Sequence, residues 1–452
     1  MQRAGSARSC RAAPGRAGAL HLSPTPVDVY CTLNCIPSHS ATSGDRDMPE
    51  KPYTVRAASC DHRTPYEGVY ETLKRITEPL ADSWARIEKA RKIVIKFNMM
   101  KPMDNVVRFK GRRQELVDDA VCRAVLQLLR EHTDAQIYAT DTNPYATDKL
   151  TPEEFNYVHH LREFDVKYDD SNRPPWAVYE VPGGGNMFDR YILSDVFEDA
   201  DEVISVAKMK NHSFMGITLC MKNLFGLPPI VPPGGRVRTY FHHAIRLSYV
   251  LPDLAMITNP CLNIIDGLVG QKGREWGGEG RVGDVLIAGD QITATDACGA
   301  HLMGHDPASD WPQPPFRRDR NHLLVAAQRG FGTVDLDEID FECDVQAPVA
   351  HFDSDPDEAP ELIHTLRRTA CEQGLFYRDH RKDIVDRHRG EFIYMQEGEI
   401  AWHGEDPSVI GSHRSYSSAK PGSALWLKLV DPEETEGERY EVYDRCLSAL
   451  SA

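Results

Sequence analysis

Lys208, Lys210, Asn211 and His212 stand close together in this chain, and Thr218, Lys222 and Asn223 follow within the same stretch, Asp201–Gly226. Ammonium groups are effective point charges for a phosphate or carboxylate, and an asparagine amide adds a neutral donor. An imidazole titrates near neutrality, so His212 is a candidate acid or base in proton transfer, or a metal ligand. Lys210 and Lys222 would disfavour its imidazolium form and keep a neutral base available. The plainer reading treats strand-end lysines as solvated and a single histidine as structural. Cys220 is a candidate thiolate beside these lysines, but a small buried side chain accounts for it equally well.

The surrounding elements must bring these groups to one place. Val203–Ala207 is apolar and rich in β-branched residues, so it is expected to be a buried strand that releases the cluster at its C-terminal end. Gly226, Pro228 and Pro229 stop the segment that follows. The arrangement recurs elsewhere. Ile93–Phe97 is a strand carrying Lys96 and followed by Asn98, Lys101 and Pro102. Gln136–Thr140 is a strand ending at Asp141, Thr142, Asn143 and Pro144. Leu262–Ile265 ends at Asp266. With a helix expected over Glu115–Arg130, the first two strands form a βαβ unit. The expected fold is therefore α/β, a mainly parallel, mixed sheet covered by helices, with a small C-terminal α+β domain.

A site at the C-terminal edge of such a sheet would use His212, Lys210 and Lys222 for chemistry. Lys96, Asn98, Lys208, Asn223 and His242 would bind substrate, and Asp141 and Asp266 are candidate ligands for a divalent metal. Since His242 and His243 are adjacent, only one of them can face such a site from a helix. Asp290 is read as the N-cap of a helix over Ile292–Met303 that carries Asp296. His301 and His305 have i, i+4 spacing, but Gly304 interrupts the helix and no glutamate lies between them. The seven glycines from Gly267 to Gly283, with Lys272 and Arg274, are read as a loop, either a phosphate nest or a mobile lid.

Thr64-Pro65-Tyr66-Glu67 reads as a capped helix start. Residues 355–372 and 377–388 read as two helices. Glu391–Tyr394 and Ile400–Trp402 read as a hairpin, Ala424–Val430 as a strand, and a last helix begins near Pro432. The expected organisation is an extension over 1–47, an α/β domain over 48–310, an irregular linker over 311–354 and the C-terminal domain over 355–452. The Arg-rich, acid-free start is read as an upstream extension with Met48 as the true start, or as an organelle transit peptide. A Pro/Gly loop over 228–235 leads to Arg236 and Arg238.

Charged residues are 27% of the chain and hydrophobic ones 41%, an ordinary water-exposed profile. The net charge of −16 argues against nucleic acid or an anionic membrane as the main partner. The 11 cysteines include no CxxC pair, which suits a reducing compartment, the cytoplasm, and argues against an iron–sulfur cluster. No apolar run approaches the roughly 20 residues of a membrane helix.

Lys210-x-His212 followed by Thr218-x-x-x-Lys222-Asn223-Leu224-Phe225-Gly226 resembles the signature of the family called domain of unknown function 362. Ile95-Lys96-Phe97-Asn98 is similar to its IKPN segment, with Phe97 where proline is usual. Asp266-Gly267-x-x-Gly270, and Asp290 to Asp296 followed by Met303-Gly304, also agree. The resemblance covers roughly residues 53–310. Many members carry a ferredoxin-type cluster segment, which this chain lacks, so a redox role is not implied.

The expected function is acid/base chemistry, isomerase- or lyase-like, on a small anionic substrate in the cytoplasm. The alternatives are a non-catalytic binding protein for an anionic cofactor or metal complex, and a redox protein with a non-covalently bound cofactor.

Overall fold

In chain order the strands are β1 (Tyr53–Ser59), β2 (Lys92–Phe97), β3 (Arg108–Phe109), β4 (Arg112–Arg113), β5 (Gln136–Asp141), β6 (Val166–Asp170), β7 (Trp176–Glu180) and β8 (Arg190–Ser194). They continue with β9 (Glu202–His212), β10 (Gly216–Thr218), β11 (Leu262–Lys272), β12 (Glu279–Gly289), β13 (Ile339–Cys343), β14 (Phe392–Gln396), β15 (Glu399–Gly404) and β16 (Trp426–Leu429). The helices are α1 (Tyr66–Thr77), α2 (Ala81–Lys89), α3 (Asp119–His132), α4 (Val158–Glu163), α5 (Cys220–Asn223), α6 (Arg238–Phe241), α7 (Leu247–Thr258), α8 (Ile292–Leu302), α9 (His322–Gln328), α10 (Pro360–His388) and a C-terminal helix, Glu441–Ser451. This computed structural model describes residues 51–99, 105–142, 157–229, 238–407, 422, 424 and 426–451. Residues 1–47, Met48, Lys101, Pro102, Asn143, Pro144 and Arg236 lie outside them.

Nine strands build one mixed sheet, ordered β13-β1-β12-β11-β9-β2-β5-β6, with β10 paired to β9 outside that row. Strands β11, β9, β2, β5 and β6 run parallel to one another, while β12 is antiparallel to both β1 and β11. Such a sheet has to be covered on both faces. Two hydrophobic cores do this. Ile204 and Val206 of β9 face the core made with α1, α2 and α3, whereas Val203, Ala207 and Met209 face the core made with α7 and α8. The β2–α3–β5 unit is the expected βαβ motif, with Ile93 opposite Ile137.

Several expected boundaries move. β9 does not end at Ala207 but runs on through His212, because β10 folds back to pair Gly216, Ile217 and Thr218 with His212, Asn211 and Lys210. Lys208, Lys210 and His212 thereby continue the row of Ile204 and Val206. The glycine-rich segment is a loop only over residues 273–278, between β11 and β12. Gly267 and Gly270 lie within β11, and Gly280 and Gly283 within β12, so the two strands form a long antiparallel hairpin. α3 starts at Asp119, with Asp118 accepting from the Ala120 N–H. α1 starts at Tyr66 with Pro65 as its uncapped N-terminal flank, so Thr64 does not cap it. Gln291 rather than Asp290 caps α8, since the Asp290 carboxylate accepts the Thr54 N–H instead.

The two helices expected over 355–388 are one. Gly374 sits in the middle of α10, where a Cβ would meet the Tyr443 ring at 2.8 Å, so the glycine admits a close packing partner instead of breaking the helix. α10 packs beside a small antiparallel sheet, β15-β14-β16, near the C-terminus. All these residues belong to one compact unit, 50–452. A buried ionic network ties the C-terminal segment to the start of α7. Lys428 donates to Glu434 at 3.1 Å, to Glu438 at 2.7 Å and to Glu436, while Arg246 holds Glu438 at 2.8 Å. Burial pushes the Glu438 carboxyl up, but Arg246 and Lys428 outweigh it and hold it at about 2. Removing that charge leaves two cations undercompensated. Glu438→Gln should therefore cost about 3–5 kcal/mol, read as a lowered urea midpoint with an unchanged slope.

Candidate functional site

Lys96, Asn98, Asp141, Lys210, His212, Lys222, Asn223 and His242 line one cavity of about 100 Å³, together with Thr218, Phe225, Gly226, Glu275 and Trp276. Lys96 and Asn98 come from the end of β2, Asp141 from the end of β5, and Lys210 and His212 from β9. α5 supplies Lys222 and Asn223, and the tip of the β11–β12 hairpin supplies Glu275 and Trp276. The position is the C-terminal edge of three adjacent parallel strands, where α/β sheets open their crevices.

Lys208 and Asp266 are not in that lining. They face each other across β9 and β11 at 3.0 Å, both fully buried. Asp266 also accepts from the Asp118 N–H at 2.7 Å and the Leu268 N–H at 3.1 Å. Asp141 is engaged similarly, with Lys96 at 3.0 Å and the Met99 and Thr142 N–H groups each at 2.9 Å. A divalent cation favours a cage of oxygens. Here each carboxylate is shared with an ammonium and two backbone donors, an arrangement that does not suit a metal.

Lys96 Nζ also donates to Asn223 Oδ1 at 3.0 Å and to the Phe97 carbonyl at 2.7 Å. The Asn223 amide returns bonds to the Lys96 and Val206 carbonyls, so it joins α5 to β2 and β9. Lys210 Nζ donates to the Glu115 carbonyl at 2.8 Å and lies 4.4 Å from the centre of the Trp276 ring. Lys222 Nζ lies 4.9 Å from the Phe225 ring centre. His242 packs among Phe214, Phe225 and His212, with ring centres 5.0, 5.3 and 6.0 Å away. His243 turns aside and bonds the Ala244 carbonyl.

The geometry of His212 bears on its chemistry. Its Nδ1 accepts backbone N–H groups from Phe214 at 3.0 Å and Met215 at 3.3 Å. A nitrogen accepting those hydrogens carries none itself, so the neutral ring bears its proton on Nε2. Nε2 lies 3.7 Å from Glu275 Oε1. His212 in this form presents a donor to its surroundings, where a neutral general base had been expected.

Sequence reasoning misses Glu275 and Trp276, because they lie in the turn between β11 and β12 and reach the cavity only through the pairing of those two strands. It also gave Asp296 too small a part. The two Asp296 oxygens accept the Cys220 and Met221 N–H groups at 2.8 and 2.7 Å, anchoring the first turn of α5 that carries Lys222. His301 and His305 fall on either side of the turn at Gly304, and burial lowers His305 to about 4.

These features define an α/β protein with a small lysine- and histidine-lined cavity at the carboxyl edge of its sheet. Residues 93–301, which contain every residue of the cavity lining, match the family model described as domain of unknown function (DUF362). A thylakoid-associated protein of Synechocystis sp. is 24% identical over 268 residues, 56% of this chain and 77% of that protein. A crystal structure of a Thermotoga maritima protein matches 44% of this chain and 42% of its own length at 12% identity, with a TM-score of 0.24, too low to bear on fold or function. Among the described residues, no helix is long and apolar enough to cross a membrane.

Two tests follow from this geometry. A Cβ on Gly226 would meet Asp141 Oδ1 at 2.3 Å and Lys96 Nζ at 2.7 Å. Gly226→Ala should therefore force that pair apart and cost about 1–3 kcal/mol, measured by chemical denaturation. Burial pushes the Asp296 carboxyl up to about 7, against the pull of its two backbone donors. Its folded value lies above the unfolded one, so the folded state binds the extra proton. The stability it adds is fully present below about pH 4 and lost as pH rises towards 7. The unfolding free energy of the wild type from denaturant titration, compared with Asp296→Asn across that window, should fall by an amount on the order of 3–4 kcal/mol.

Proposed function

We propose that the cavity binds a small carboxylate-bearing molecule and transfers a proton at the carbon beside that carboxylate, isomerase- or lyase-like chemistry. The observation that carries this reading is the convergence of Lys210, Lys222 and His212 with the Glu275 carboxylate on one space of about 100 Å³. That volume lies well below the roughly 300–1,000 Å³ of ordinary ligand pockets, which favours a small anion and argues against a flavin or nicotinamide here. Two ammonium groups and an Nε2–H donor would stabilise the negative charge that develops on an enolate or carboxylate oxygen. With His212 in its donor form, Glu275 takes the role of base and His212 that of acid. Lys96 and Asp141 neutralise each other and hold the wall.

The same small volume suits a second reading, a protein that holds an anion without turnover. The cytoplasm is the proposed compartment, since the eight described cysteines are free. The relative's name, a thylakoid-associated protein, is the pointer to a membrane-bounded setting, which cell fractionation would decide.

The test is deuterium incorporation from D₂O into a panel of small 2-hydroxy-, 2-oxo- and 3-oxo-carboxylates, followed by NMR, with binding measured by calorimetry. Lys210→Ala and Lys222→Ala should each weaken binding about tenfold or more. Glu275→Gln should keep binding within about threefold while slowing exchange by about 10²–10⁴. Binding without exchange in the wild type would select the anion-holding reading. If no carboxylate binds, both readings fail.

A further inference from the structure

Far from the cavity in sequence, the end of α10 meets the β14–β15 hairpin through three side chains. Glu391 Oε2 accepts from His388 Nδ1 at 3.0 Å and from His403 Nδ1 at 2.9 Å. The two imidazole centres are 4.5 Å apart. One ligand-type atom from each residue falls within 4.8 Å of the others. We propose that His388, Glu391 and His403 form a binding site for a divalent transition-metal ion of the Zn²⁺ class, which clamps the C-terminal end of α10 to β15.

The local sequence explains why the three converge. Gly390, at φ +79°, lets the chain reverse directly after α10 and brings Glu391 back under His388, where the Glu391 N–H bonds the His388 carbonyl at 3.0 Å. The hairpin then pairs Ile393 with His403, returning that imidazole to the same carboxylate. Two imidazoles and a carboxylate are a ligand set that Zn²⁺ uses. Ligands at about 2.0–2.1 Å from a tetrahedral ion stand roughly 3.3 Å from one another. The separations of 2.9 and 3.0 Å are within a few tenths of an ångström of that value, so small outward shifts admit the ion. The metal would take the place of the two Nδ1 hydrogens, between the rings and the carboxylate, with the rings shifting to their Nε2–H tautomers. The carbonyl end of a 29-residue helix adds a favourable field for a cation.

Two other His/Asp groups of similar compactness lack this character. Asp119, beside His159 and His160, is gripped by Arg108 and Arg113, and Asp61, beside His62 and Asp284, is gripped by Arg63. A guanidinium on the carboxylate opposes a second cation. The ion-pair partners of Glu391 are the two imidazoles.

The experiment uses the full chain stripped with chelator and titrated with Zn²⁺ alone, read by native mass spectrometry and calorimetry at neutral pH. Co²⁺ is used separately for its visible spectrum. We expect one Zn²⁺ per chain, a rise in thermal midpoint with added Zn²⁺, and a Co²⁺ spectrum of low coordination number. His388→Ala, His403→Ala and Glu391→Gln should each weaken binding at least about tenfold. Lys210→Ala should leave it unchanged, which separates this site from the cavity. Cooperative unfolding of each stripped variant would establish that the loss is one of ligands and not of fold. Absence of Zn²⁺ binding in the wild type, or equal binding in the His388→Ala/His403→Ala double variant, would overturn the proposal.

Discussion

The constraint behind this architecture is the cost of burying ammonium groups at the edge of a sheet. A lysine withdrawn from water loses several kcal/mol of hydration unless an opposite charge and further hydrogen-bond partners replace it. Lys208 is fully buried, and Asp266, beside it on β11, supplies that charge. Lys96 obtains the same from Asp141 on the neighbouring β5 side. These two pairs occupy β2, β5, β9 and β11 and fix how far those strands slide against one another. The register of the central sheet and the neutralisation of its lysines are therefore one requirement. One step further along β9, Lys210 reaches carbonyl oxygens and the face of Trp276. The row of side chains thus passes from a sealed ion pair to a cavity wall within two residues.

The turn after β9 imposes the second constraint. Gly216, at φ +72°, reverses the chain so closely under Pro315 that a Cβ there would meet its carbonyl at 2.6 Å. This tight return presents the Phe214 and Met215 N–H groups to His212 Nδ1. Protonating Nδ1 would forfeit both bonds, so the fold itself favours the ring form with Nε2–H outward. A backbone turn here selects what the imidazole can do.

Where hydrophobic pattern and residue type agree, the chain is legible. The β2–α3–β5 unit, the strand ends that carry Lys96, Asp141 and His212, and eight cavity residues could be named from sequence because apolar runs stop where polar clusters start. What stayed hidden depends on pairing at a distance. β9 looks finished at Ala207, since nothing in Lys208–His212 favours a strand until β10 pairs with it. Glycines along β11 and β12 imitate a loop, yet a Cβ on Gly267 would meet Val285 at 2.6 Å, so the glycine serves close packing instead. Glu275 and Trp276 lie in the turn at the tip of that hairpin, and only the pairing of β11 with β12 carries them to the cavity. Lys208 and Asp266 resembled site residues because a buried ion pair and a ligand-binding pair use the same side chains.

The family segment contains the whole described cavity lining, which raises the question of what the C-terminal segment does for it. Its influence passes through Arg246. That residue precedes α7 and follows His242 by four positions, and it is held by Glu438, the Tyr443 hydroxyl and the Leu427 carbonyl, all from the C-terminal segment. The adjoining Ile245, at φ +75°, is fixed by a bond from its N–H to Asp319 at 2.8 Å. His242 therefore hangs from a short strained segment clamped on one side by Asp319 and on the other by the Arg246–Glu438 pair. The clamp thereby fixes the place of His242 in the cavity wall from outside the central sheet. The C-terminal segment thus acts on the cavity by fixing one wall and leaves the charges on β9 to the sheet.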